Sequence, residues 1–148
     1  MEKRSRQNLK SQDWFKPFDH TADLGVCLNA DSLEGLVRQG ALALLFFTVD
    51  PATVEERQEK SFEIEFDSPE QLLVRTLSRL VFLFDCEGFL SRNMELEISG
   101  NMALAKIHGE TFDKKRHQTR HLIKAVTWGG LEVEAREGKF LATVIFDD

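Results

Sequence analysis

The order of apolar and polar positions divides the chain into strands and helices. From Asp23 the segment DLGVCLNA places Leu24, Val26 and Leu28 on one side, the period-two pattern of a strand with one buried face. Asp31 followed by Glu34 has the spacing of a capping box and predicts a helix start there. Leu33, Leu36, Val37, Gly40, Ala41, Leu44 and Leu45 then recur at helical spacing until Asp50-Pro51 stops them. After the charged link ATVEERQEK, Phe62, Ile64 and Phe66 alternate with Glu63 and Glu65, a strand wet on one side. Ser68-Pro69-Glu70 supplies a cap, a first-turn proline and an acid, and Leu72, Leu73, Leu77, Leu80, Val81 and Phe84 continue a second helix to about Cys86. From Glu87 the pattern turns to strands: LSRNMELEIS, a turn at Gly100-Asn101, MALAKIHGE, LIKAVTW, LEVEAR, a turn at Glu137-Gly138, and KFLATVIFD, with a polar loop between Gly109 and His121.

Strand, helix, strand, helix and then mostly strands predicts an α+β single domain with a largely antiparallel sheet and two main helices. The polar, aperiodic start, which runs towards Pro17, reads as a mobile N-terminal extension over residues 1–14, leaving residues 15–148 as the domain. A chain of 148 residues with 42% hydrophobic and 30% charged positions has the composition of one globular domain, not of a disordered tail. The basic amino end has no apolar stretch of signal-peptide length, and no run of about 18 apolar residues occurs, so a cytoplasmic protein with no membrane partner is expected. Cys27 and Cys86 lack metal or redox spacing and read as reduced core residues. The net charge of −6 argues against a surface that coats nucleic acid, so any RNA role is local or indirect.

Acidic residues at strand ends are the first candidate for chemistry. Asp23 opens the first strand, and Asp147-Asp148, with the terminal carboxylate, closes the last. If those strands are antiparallel neighbours, the start of one lies beside the end of the other, and the gathered oxygens suit a hard divalent cation that relieves their repulsion. The alternative is a turn-capping Asp23 and a solvated tail. His20 and Thr21 read as local turn and capping residues, and Asp19 as solvent-facing.

The segment DKKRHQTRHLIK forms a basic patch of Lys114, Lys115, Arg116, Arg120 and Lys124, either a contact for phosphate, RNA or an acidic partner or an ordinary solvated loop. His117 and His121 have a zinc-compatible spacing without further ligands. Lys124 lies in a strand-like run, turned to water or aimed at carboxylates or phosphate. Phosphate-loop, serine-elbow and Cys–His nucleophile motifs are absent from the sequence.

FDHTADLG near the amino end, HGETFD at 108–113, IKAVTWGGLEV at 123–133 and a final VIFDD together resemble the archease family over about Phe15 to Asp148. The resemblance implies a small α+β protein that assists an RtcB-type RNA-splicing ligase in tRNA splicing and RNA repair, promoting guanylylation and repeated turnover without being an enzyme itself. It also implies a bound divalent cation (calcium, magnesium or manganese) at Asp23, Asp147 and Asp148, and a part in ligase activation for Lys124, with His20 beside it. Leu122, Gly129 and Asp148 depart from the family's pattern. Two other functions fit the residues: a stand-alone metal-dependent phosphohydrolase with His20 as the nearby base, and an RNA-binding or chaperone-like module using residues 114–124.

Overall fold

A computed structural model describes the backbone of residues 15–18, 23–127 and 133–148, and the side chains of residues 24–127 and 133–148. Its elements are β1 (Phe15–Phe18), β2 (Asp23–Ala30), α1 (Leu33–Thr48), a 3-10 turn (Pro51–Thr53), β3 (Gln58–Glu65), α2 (Pro69–Glu87), β4 (Phe89–Ser99), β5 (Met102–Thr111), β6 (Ala125–Thr127), β7 (Val133–Arg136) and β8 (Lys139–Asp147).

The helices form where the periodicity places them, but the first cap is one residue later than the capping-box spacing suggests. Ser32, in extended conformation, accepts a hydrogen bond from the Gly35 N–H at 3.0 Å. Asp31 lies outside the helix and meets Lys139 Nζ at 3.2 Å. The second helix starts as expected, with Ser68 Oγ accepting from the Gln71 N–H at 3.2 Å and Pro69 in the first turn, where its missing N–H costs nothing.

The expected antiparallel sheet is two sheets, because periodicity identifies a strand without naming its partner. One has the order β1-β2-β8-β6, with β7 also on β8; the other has the order β3-β5-β4. All pairings are antiparallel. The aperiodic stretch towards Pro17 includes an edge strand, since β1 pairs Phe15–Phe18 with Gly25–Leu28; an edge is where a proline, unable to donate, is tolerated. Residues 1–14 lie outside the described residues. Strand β3 likewise begins at Gln58, inside the charged link. Its first two residues are exposed, so no apolar signal marks their pairing with Gly109 and His108. Arg136 and Lys139 pair directly across Glu137-Gly138, whose φ values of 53° and 78° are those of a type I′ hairpin turn.

The core joins the inner faces of both sheets to the two helices. Val26, Leu28, Val144 and Phe146 from one sheet, Ala105 and Ile107 from the other, and Leu36, Val37, Leu72, Leu73 and Leu77 from the helices are fully or almost fully buried. Both cysteines are exposed, contrary to the sequence expectation. Cys27 points away from the buried Val26 and Leu28 by strand alternation, and Cys86 lies beyond the buried stripe of α2. No helix among the described residues is long and apolar enough to cross a membrane.

Candidate functional site

Strand β8 is central at its carboxyl end because its inward Ala142, Val144 and Phe146 hold it in the core while β2 and β6 pair with its two edges. Asp147 therefore has two cross-strand partners, Asp23 on β2 and Ala125 on β6. The Lys124 N–H donates to the Asp147 carbonyl at 2.8 Å, fastening the chain just before β6 to the same position. This is the antiparallel juxtaposition of strand ends on which the acidic-site reading depends.

The segment leading into β6 is anchored to the end of α1, where a helix leaves carbonyls without internal partners. Arg120 N–H donates to Thr48 O at 2.7 Å and His121 N–H to Phe47 O at 3.1 Å. The Phe47 ring meets His121 and Phe146 edge-on, with centroid distances of 6.3 and 5.9 Å. His121 Nδ1 lies 2.8 Å from Asp148 Oδ2, so the residue after β8 is tied to this segment. Beside it Leu122 is 58% exposed, Ile123 is buried and Lys124 is exposed, its side chain without an ion pair among the described residues. Of the two orientations open to Lys124, it takes the one towards water.

Asp23 enters this arrangement by its backbone pairing; Asp19, His20 and Thr21 fall outside the described residues. The chemistry of the acidic set fits a hard cation, since carboxylate and carbonyl oxygens are the donors calcium, magnesium and manganese prefer. Among the described side chains, no group of three or more acids, histidines or cysteines converges as a ready metal cluster. Asp148 already shares its carboxylate with His121.

The zinc-compatible histidines serve different structures. His117 is buried; its Nδ1 accepts the Asp113 N–H at 2.9 Å, which places the ring hydrogen on Nε2, 3.1 Å from both Thr53 O and Glu110 Oε2. Glu110 is the residue sequence reasoning missed. By alternation along β5 it faces out, opposite to Ala105 and Ile107, but the loop carrying Arg116 and His117 covers it. Arg116 grips both its carboxylate oxygens, and the Glu55 N–H donates to it at 2.7 Å. The Arg116 hydrogen bonds are the main reason the Glu110 pKa falls from 4.5 to about 2; burial opposes them, and Glu55 and His117 assist. The only sequence signal was its place in HGETFD.

This network also reduces the basic patch. Arg116 is committed to Glu110, and Arg120 donates to Phe46 O at 2.9 Å with its guanidinium 5.0 Å from the Phe46 ring centre. Lys114 and Lys115 remain solvated, as an ordinary loop would have them.

Comparison with known proteins agrees with this architecture. The model of the Archease protein family matches residues 15–147. The chain is 31% identical over 135 residues to Protein archease of Pyrococcus abyssi, covering 88% of this chain and 95% of that one. It is 34% identical over 134 residues to Protein archease of Pyrobaculum calidifontis, covering 87% and 91%. The solution structure of Methanobacterium thermoautotrophicum protein 1598 superposes with a TM-score of 0.78 at 30% identity, over 90% of this chain and 98% of that one. A crystal structure from Thermotoga maritima, described as an archease and possible chaperone, shares the fold with a TM-score of 0.64 at 19% identity, over 97% and 100% of the two chains. A family match that spans every described strand and both helices shows that this chain belongs to the archease family.

Proposed function

We propose that the chain is an accessory protein, not itself an enzyme, that activates an RtcB-type RNA-splicing ligase by promoting its guanylylation and repeated turnover in tRNA splicing and RNA repair. In this reading it works in the cytoplasm and meets RNA only through the ligase. A divalent cation (calcium, magnesium or manganese) is held by Asp23 and Asp147, with Asp148 as a further oxygen donor. The observation that carries the reading is the direct pairing of Asp23 with Asp147, since opposed residues of an antiparallel pair occupy one face of the sheet. A cation bound there would offset the clustered negative charge and offer positive charge to phosphate oxygens.

The chain's own residues do the positioning. Lys124 N–H fixes the Asp147 main chain, and His121, which with Arg120 is braced by the end of α1, holds Asp148. The exposed Lys124 ammonium is left to face the ligase, with Leu122 beside it as an apolar contact. His20 lies in the same HTAD motif as Asp23 and is assigned an assisting part. The description of the Thermotoga relative as a possible chaperone agrees with a protein that acts on another protein.

The test is the amount of guanylylated ligase formed from GTP alone, with this protein, and with its Asp23→Ala form. The reading expects stimulation by the unaltered protein and its loss in the variant; equal rates in all three reactions would remove it. Lys124→Ala is expected to lower stimulation while changing stability by no more than about 0.5 kcal/mol, because the main-chain N–H, not the side chain, holds Asp147.

A further inference from the structure

At the other end of the β2–β8 ladder, on the order of 23 Å from Asp23 by strand rise, an open groove of about 590 Å³ lies between the start of α1, the end of β2 and an irregularity in β4. Its walls include Ser32, Arg38, Ser91, Arg92, Asn93 and Lys139. Eight arginines lie among the described residues, and six have a partner: Arg57, Arg116, Arg120 and Arg136 have carboxylates, Arg75 has the Glu65 carbonyl and Arg79 the Phe62 ring. The remaining two, Arg38 and Arg92, make no hydrogen bond, ion pair or ring contact with a described residue, and both line this groove. They come from different elements, Arg38 from α1 and Arg92 from the register shift between Ser91 and Asn93.

We propose that this groove binds an acidic peptide segment of a partner protein, with Arg38 and Arg92 each taking a carboxylate. A guanidinium presents a planar fork that matches a carboxylate, and the hydroxyl and amide side chains between the two can serve a peptide backbone. Single-stranded nucleic acid fits less well. The described lining has no aromatic ring for a base to stack on, whereas an acidic peptide needs only the two guanidinium forks and main-chain partners. Asp31 also lines the groove, where it neutralises Lys139, so the positive charge on offer is that of the two arginines. The groove's place at the opposite strand ends from Asp147 makes this contact independent of the acidic site.

The experiment is an amide chemical-shift titration of the nitrogen-15-labelled full chain with hexaglutamate peptide up to millimolar concentration, and in parallel with hexauridylate. Saturable shifts at Gly35, Arg38 and the 91–93 backbone are expected with the peptide. Affinity should fall roughly tenfold or more in Arg38→Gln/Arg92→Gln and stay unchanged in Lys114→Gln/Lys115→Gln. Each single arginine variant is titrated as well, and dispersed spectra confirm that the variants fold. Absence of shifts, equal affinity in the arginine variants, or tighter arginine-dependent binding of hexauridylate would overturn the proposal.

Discussion

Glu110 shows how one residue can bind distant segments of the chain and leave little trace in the sequence. Its carboxylate joins the loop at Glu55, the turn at Arg116 and the buried His117. Replacing it with Gln is expected to cost of order 2 kcal/mol, since charged hydrogen bonds are lost around a buried group. The pH dependence follows from a folded pKa of about 2 against an ordinary value of 4.5. The contribution is complete above about pH 4.5 and is lost as pH falls towards 2, because the unfolded carboxyl takes up its proton first. Denaturant midpoints of the protein and Glu110→Gln, measured from neutral to acid pH, should therefore converge as pH falls. Alternation along β5 places Glu110 outside, and only the covering loop places it inside. Gly109 beside it is similarly silent, although a Cβ there would fall 1.7 Å from the Leu90 carbonyl oxygen. By contrast, the cores of both helices were legible, because Leu36, Val37, Leu72, Leu73 and Leu77 repeat at helical spacing and are all buried.

Among elements, boundaries depended on chemistry that spacing alone does not rank. Asp31 and Ser32 are adjacent acceptors, and the extended Ser32 takes the cap. Ser32→Ala should lower stability by about 1 kcal/mol, whereas Asp31→Ala, which removes only an exposed ion pair with Lys139, should change it by less than about 0.5 kcal/mol. Thermal or denaturant unfolding of the two variants checks the assignment, and a larger loss for Asp31→Ala would reverse it. Strand β1 and the first residues of β3 carry no strand signal for a shared reason. The first carries Pro17, and the second opens with the exposed Gln58 and Glu59, so backbone pairing, not apolar alternation, defines these stretches.

At the scale of the whole molecule, the β2–β8 ladder is the organising element. It sets Asp23 opposite Asp147 at one end and leads to the arginine-lined groove at the other. The acids at the strand ends were visible in the sequence, but their meeting was not, since pairing between residues 124 apart is a property of topology. The anchoring of Arg120 and His121 to the end of α1, and of Lys124 to Asp147, was equally invisible, because it uses main-chain groups that every residue carries. In the proposed function these paired strand ends hold one divalent cation for use on the ligase. Calorimetric titration of calcium and of manganese into the protein, Asp23→Asn, Asp147→Asn and the double variant tests it most directly. One saturable site is expected, weakened by roughly tenfold or more in each single variant, with the double variant little worse than either, as for two ligands of one ion. Unaltered affinity in both single variants would contradict it.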